Sequence, residues 1–421
     1  MQHVVVGAGP AGVIAAEALR KLDSDATVTL IGDEPEPPYS RMAIPYFLIN
    51  QIEEQGTHLR KSDNHFLKQR IDIVEGKVAS IERATQQLSL EGGARVHYDK
   101  LLLATGSRPT APPIAGIDLP GVTSCWTLAD ARRIVRTAKP GARVVLMGAG
   151  FIGCIILEAL AKSGADLTVI EMEDRMVPRM MNDTAGNMIK AWCEAKGVKV
   201  HTSTQVTGIE QVNGDYDVTL SSGETINADL IVAATGVRPN ISFLTGSGVE
   251  TNHGILVNRR MQTNDLNIFA AGDVAEGIDF STGEYSVQAI QPTAAEHGQL
   301  AARNMVGFAG AQHQGSVNMN VLDTLGLISS SFGLWMGKDN GESAELHNPE
   351  RYRYLNLQFE DDVLVGATSL GLTEHVGVLR GLIQSKTRLG DWKDKLIADP
   401  TRVMEAYLAN THALGFNASV L

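Results

Sequence analysis

One pattern is written twice in this chain. "HVVVGAGPAGVIAAEALRKLDSDATVTLIGDE" (3–34) and "RVVLMGAGFIGCIILEALAKSGADLTVIEME" (143–173) each run from a short apolar strand through G-x-G-x-x-G into an amphipathic helix and a second strand that ends in acidic residues. This is a βαβ unit, whose two strands must lie parallel with the helix packed across them. The glycines have separate duties: Gly7 and Gly148 make the tight turn, Gly9 and Gly150 let backbone N–H groups approach a pyrophosphate, and Gly12 and Gly153 let the helix close onto the strand. A single G-x-G-x-x-G is weak evidence, whereas two in matching contexts point to two dinucleotide sites in one chain.

The segments downstream of the two units match as well. "KLLLATGSRP" (100–109) closes the first half and "ADLIVAATGVRPN" (228–240) the second. The stretches leading into them, from Ile71 and from Val198, alternate around Gly-containing turns and are expected to form antiparallel excursions. "TNDLNIFAAGDVAE" (263–276) reads as an apolar strand ending in Gly272-Asp273, and a helix is expected from about Pro292. Beyond residue 315 the glycine grammar stops: "RYRYLNLQFEDDVLVGATSLG" (351–371) reads as a hairpin about Glu360 to Asp362, followed by two helices. The expected fold is α/β: two Rossmann-like dinucleotide-binding domains, three-layer ββα, plus a smaller α+β C-terminal domain. The expected boundaries are 1–110 with 241–314 for the first nucleotide domain, 111–240 for the second and 315–421 for the third.

Composition narrows the function. A formal charge of -12 argues against a nucleic-acid partner, because neutralising phosphates needs a basic surface. Cys125, Cys154 and Cys193 show neither C-x-x-C nor zinc spacing and read as isolated thiols in a reducing compartment. The chain starts directly on "MQHVVVGAGPAG", and no apolar run reaches membrane-spanning length, so a cytoplasmic protein without an anchor is expected. No metal site is expected; His58, His65, His297 and His375 have no partner at metal-ligand or triad spacing and read as surface or helix-face residues. Of the four tryptophans, Trp335 in "SFGLWMG" (331–337) is the one to follow.

Glu171 ends the strand "LTVIE", where a carboxylate accepts from ribose hydroxyls and repels a 2′-phosphate, so NADH is expected over NADPH; Arg175, four residues on, would soften that preference. In the first copy Glu34 is the better candidate for the ribose acceptor than Asp33, and both are also readable as loop carboxylates. Two dinucleotide sites suggest a relay between a flavin and a nicotinamide.

The order G-A-G-P-A-G, A-T-G-S-R-P, G-A-G-F-I-G, A-T-G-V-R-P-N, F-A-A-G-D-V resembles the pyridine nucleotide-disulfide oxidoreductase superfamily. "GDEPEPPYSR" resembles its branch of NADH:rubredoxin reductases, ferredoxin reductases and nitrite reductase flavin domains. The resemblance implies FAD at Gly7, Gly9, Ala11, Gly12, Glu34, Arg41 (pyrophosphate), Val78, Ala104, Thr105, Gly106, Gly272 and Asp273 (ribityl chain). It implies NADH (NAD+) at Gly148, Gly150, Phe151, Ile152, Gly153, Glu171 and Gly236, with Phe151 equally readable as core. It also implies an FAD-dependent NADH oxidoreductase that exchanges electrons, in either direction, with a small redox protein such as rubredoxin, ferredoxin or a haem protein. The alternatives are an NADH oxidase using oxygen or quinone and a non-catalytic redox-sensing flavoprotein subunit. Either a monomer or a homodimer is compatible.

Three departures bear on mechanism. "PPYSRMAIPYF" (37–47) puts Met42 where disulfide-reducing relatives carry a redox cysteine, and a thioether forms no mixed disulfide. Tyr46 stands where ferredoxin reductases have a lysine, and Ile155 where they have its glutamate partner. Both members of that pair are missing together, which avoids a buried unpaired charge and leaves a less polar setting near the reactive ring.

Overall fold

A computed structural model describes residues 1–308 and 310–418. They divide into two compact units, Met1–Thr110 with Val237–Ser316, and Ala111–Gly236 with Val317–Leu421.

In the first unit, β1 (Gln2–Val6), α1 (Pro10–Leu22) and β2 (Thr27–Gly32) form the first βαβ element. Five parallel strands are ordered 268–270, 100–103, 2–6, 27–32, 71–75. Val4, Val5, Val28 and Leu30 are fully buried, as expected for parallel strands covered on both faces. Ile71–Glu75, which alternation assigned to the antiparallel excursion, is instead the parallel edge strand; only 78–82, 87–90 and 95–97 form the antiparallel sheet. Alternation marks a half-exposed strand, and an edge strand is half exposed whichever way it runs.

The helix Gln291–Met305 begins with proline in its first turn and crosses α1 closely: a Cβ on Gly298 would lie 2.4 Å from the Ala11 carbonyl oxygen. The chain leaves and re-enters this unit through Ser107–Pro109 and Val237–Pro239, which pair antiparallel.

The second unit repeats the plan. β3 (Arg143–Met147), α2 (Phe151–Lys162) and β4 (Asp166–Ile170) form the second βαβ element, in a parallel sheet ordered 199–201, 166–170, 143–147, 230–233, 122–123. Here too a parallel strand, Lys199–His201, precedes a three-stranded antiparallel sheet. α3 (Asp183–Ala195) is capped by Asn182, whose side chain accepts from the Ala185 N–H.

The same unit holds a five-stranded antiparallel sheet ordered 319–324, 327–333, 363–370, 353–360, 342–348. The hairpin turn falls at Asp361 and Asp362 as the sequence indicated. One face of this sheet, with Leu357, Phe332 and Ala367, packs on Leu379, Leu382, Ile383 and Leu396 of the following helices. The other face is tied to α3, where Asn182 Nδ2 donates to the Tyr354 hydroxyl at 2.6 Å and Trp192 Nε1 donates to the Thr324 carbonyl at 3.1 Å. No helix among the described residues is long and apolar enough to cross a membrane.

His297, read from sequence as a helix-face residue, is buried against His313, with ring centroids 4.7 Å apart and the Ser316 hydroxyl between them. Burial, reinforced by the His313 charge, pushes His297 down to about 3. A base held below its unfolded value is charged only in the unfolded chain over the intervening range, so its contribution to stability is intact above about pH 6.5 and eroded as pH falls toward 3. The His297→Gln variant is expected to reduce the slope of unfolding free energy against pH by about one proton, or ~1.4 kcal/mol per unit at low pH. Denaturant unfolding at pH 4 to 7 checks this, and an unchanged slope contradicts it.

Candidate functional site

Each glycine turn is defined by where a side chain has no room and where it would have some. In the first, Gly7 sits at φ +112, and a Cβ there would lie 2.0 Å from the Ala104 carbonyl oxygen; a Cβ on Gly12 would lie 1.9 Å from the Gly7 carbonyl oxygen. Turn, helix and neighbouring strand end are therefore in backbone contact. At Gly9, the first-turn cap of α1, nothing lies within 4 Å of a built Cβ. That open position faces the free N–H groups of a helix start with no side-chain cap and no acidic residue in its first turn. Donors and helix dipole together favour an anion there.

The second turn has the same anatomy. Gly148 is at φ +99 with a built Cβ 2.6 Å from the Ala234 carbonyl oxygen, and that of Gly153 would be 2.1 Å from the Gly148 carbonyl oxygen. Gly150 again has open space, and α2 again lacks a side-chain cap and an acidic first turn. Both cradles therefore fit a diphosphate.

Around the first cradle the structure gathers most of the FAD residues implied by sequence. Ala11 and Gly12 are buried in α1, and Ala11 lies 3.2 Å from the Cβ position of Gly272. Ala104, Thr105 and Gly106 follow strand 100–103; Thr105 Oγ1 donates to the Asn240 carbonyl, and Asn240 N–H donates to the Gly106 carbonyl. Asp273 follows strand 268–270, half-buried, and accepts from the Ser107 hydroxyl at 3.1 Å. Burial pushes its carboxyl above the usual range, against the opposing effects of Ser107 and Arg41. Val78 is buried in the unit's core at the start of strand Val78–Glu82.

Glu34 and Arg41 are brought together: Arg41 Nη2 donates to Glu34 Oε1 at 2.7 Å and the Tyr39 hydroxyl donates to Oε2 at 2.5 Å. Glu34 also lines a cavity of about 1090 Å³ together with Ala8, Gly32, His58, Phe66 and Val74. One wall of that cavity is pinned to α1 through Glu17, which accepts from Arg60 Nη2 at 2.5 Å and Nε at 2.6 Å and pairs with His65 Nε2 at 2.8 Å. Burial alone raises Glu17, but the hydrogen bonds from Arg60 and His65 bring it below its ordinary value. Sequence reading missed this clamp, because its members are separated by more than forty residues and carry no motif.

Met42 and Tyr46 are exposed on the first unit, at 48% and 54%, on the turn and short helix spanning Arg41–Leu48. His58 makes a β-bridge with Tyr39, and His375 precedes the helix Val376–Ser385 at its N-cap position without a side-chain capping bond.

In the second unit Glu171 is buried just past β4. Its Oε2 accepts from the Ala149 N–H at 2.6 Å and its Oε1 from the Glu173 N–H at 2.9 Å, so it is locked to the glycine turn itself. Phe151 and Ile152 are half-buried in the first turn of α2, and Ile155 is half-buried one turn later. Gly236 lies at φ +112 with open space around its Cβ position. Trp335 is half-buried and Met336 exposed at the end of strand 327–333.

The three thiols are all buried. Burial pushes Cys125 and Cys193 up to about 12 and Cys154 well above its ordinary value. Cys154 Sγ donates to the Ala149 carbonyl at 3.4 Å. The described residues contain no cluster of three or more His, Cys, Asp or Glu able to hold a metal.

The family model for pyridine nucleotide-disulphide oxidoreductases matches residues 1–298. The chain belongs to that family. Its members are oxidoreductases that use FAD and NAD(P)H. The oxidoreductase is 31% identical over 415 residues to the NADH-dependent phenylglyoxylate dehydrogenase subunit epsilon of Aromatoleum evansii, covering 97% of this chain and 98% of that one. It is 29% identical over 387 residues to the rubredoxin-NAD(+) reductase of Ectopseudomonas oleovorans, covering 91% and 99%. Among solved structures, an NAD-dependent persulfide reductase from A. fulgidus superposes with a TM-score of 0.86 at 28% identity, over 93% of this chain and 78% of that one.

Because the two cradles are separate, they can be broken separately. Gly12→Ala is expected to yield protein with at least about tenfold less bound flavin, since its methyl collides with fixed backbone, while NAD+ still binds. Gly153→Ala is expected to do the reverse. Flavin absorbance and calorimetric titration with NAD+ distinguish the two, and loss of both ligands in either variant would show that the sites are not independent.

Proposed function

We propose that this oxidoreductase takes hydride from NADH held in the second unit onto FAD held in the first, and passes electrons on to a separate electron-carrying protein, with the reverse direction using the same groups. Bound FAD supplies the chemistry, accepting two electrons as hydride and releasing them singly. In this reading Arg41 meets the pyrophosphate, Glu34 and Asp273 accept from ribose and ribityl hydroxyls, and Glu171 accepts from the nicotinamide nucleotide's ribose. An ionised carboxylate has about four lone-pair directions, so Glu34 and Glu171 keep acceptor capacity beyond their present partners.

The observation that carries the proposal is the state of the thiols. Disulfide chemistry needs an accessible thiolate, normally a cysteine with a lowered pKa. Here Met42 occupies the expected position, and all three cysteines are buried with raised pKa values. Electrons leaving the flavin therefore have no thiol relay, which favours direct transfer to an outside acceptor, read here as a protein. A cysteine-assisted conversion of oxygen to water has no group to use at this position either.

The relatives support the same division of labour: one that matches end to end is a subunit of an NADH-dependent dehydrogenase, and another reduces rubredoxin with a pyridine nucleotide. The partner is accordingly read as a small iron–sulfur protein or a metal-bearing subunit of a larger enzyme.

A variant with Cys125, Cys154 and Cys193 all changed to Ala is expected to keep NADH-dependent reduction of ferricyanide or oxidised rubredoxin within about threefold of the parent, since no catalytic interaction is removed. A loss of a hundredfold or more, with flavin still bound, would put a thiol in the electron path. Separately, Glu171→Ala is expected to weaken NADH binding by about tenfold through the lost charge-assisted bond.

A further inference from the structure

Arg175 is the cation nearest in sequence to the ribose carboxylate, and a guanidinium is the side chain best shaped to hold a 2′-phosphate. The second unit disposes of it in another way. Arg175 Nη1 donates to Asp174 Oδ1 and pairs with Asp183 Oδ1, each at 2.7 Å, and its Nε donates to the Met181 carbonyl at 3.0 Å. The side chain is only 16% exposed. Its stem lies along α3 where Gly186 leaves a trough: a Cβ on Gly186 would come within 2.9 Å of Arg175 Cβ and 3.0 Å of Cδ. Of the charged residues that follow Glu171 in this loop, Glu173 and Asp174 face solvent directly after it and Arg179 faces solvent further on.

We propose that Asp174 and Asp183 form a latch on Arg175 and are determinants of coenzyme selectivity, making the protein choose NADH over NADPH. The inference rests on assigning the nicotinamide nucleotide to the second unit. Glu171 alone disfavours a 2′-phosphate by repulsion, but a free arginine four residues away would offer that phosphate a bidentate partner. Two carboxylates, one backbone acceptor and a glycine trough hold the guanidinium along α3 instead. Because both carboxylates are exposed, at 62% and 76%, each ion pair is individually weak, so the selectivity depends on their acting together with the Met181 carbonyl.

The test uses the flavin-loaded protein titrated calorimetrically with NAD+ and with NADP+, which avoids turnover. In the Asp174→Asn/Asp183→Asn variant the affinity for NAD+ should stay within about twofold, while that for NADP+ should rise, narrowing the ratio of the two by at least about fivefold. Adding Arg175→Ala should restore the parent's wide ratio. Asp183→Asn alone should move the ratio in the same direction by a smaller factor, a second reading with a single exposed change.

An unchanged ratio in the double variant overturns the latch. So does an equal narrowing in the Arg175→Ala background, which would reduce the effect to loss of negative charge. Both outcomes leave the nucleotide assignment standing. A parent protein that binds neither nucleotide overturns that assignment, and the latch with it.

Discussion

Backbone meeting backbone at two glycine turns is the constraint on which the rest of this structure depends. In each unit the third glycine of the motif presses against the carbonyl of the first, at a distance that leaves no space for a methyl group. That approach seats the helix on its strand and aims its first N–H groups at one point. It also fixes the neighbouring strand ends at Ala104 and Ala234, whose carbonyls abut Gly7 and Gly148. The strand after Ala104 leads to Ser107, which bonds Asp273, so one packing contact organises residues 166 positions apart. In the second unit the equivalent turn receives the buried Glu171 carboxylate on the Ala149 N–H.

Features that repeat were legible in the sequence. The βαβ elements, their glycines, the A-T-G turns, the helix beginning at Gln291 and the hairpin at Asp361 all follow from local pattern, because turn geometry and strand periodicity are short-range properties. Features made by distant residues meeting were not. His297 and His313 are too far apart for any helical or strand period to connect them, and the Glu17 clamp joins α1 to a loop more than forty residues later. The parallel pairing of Ile71–Glu75 was missed because an edge strand alternates in either direction. Arg175 shows a third kind of limit. Its place beside Glu171 could be read from the sequence, but its capture by Asp183 depends on how the next helix turns back.

The sequence reading sets Met42, Tyr46 and Ile155 where relatives are expected to carry a thiol, an ammonium and its carboxylate partner, and all three cysteines of the chain are buried. The structure itself supplies two glycine turns that fit a diphosphate and a clamped wall on the cavity beside Glu34. Chemistry is left to the cofactors, and the protein's contribution is to hold them.

Electron counting tests that claim most directly. In an anaerobic titration of the flavin-loaded protein with NADH, a chain whose sole redox centre is one flavin takes up two electrons, so the flavin band should bleach completely at about one equivalent of NADH per flavin. The reduced protein should then hand both electrons to two equivalents of a one-electron acceptor. Uptake of four electrons, with a second equivalent of NADH consumed per flavin, would reveal a disulfide or another centre and contradict the account.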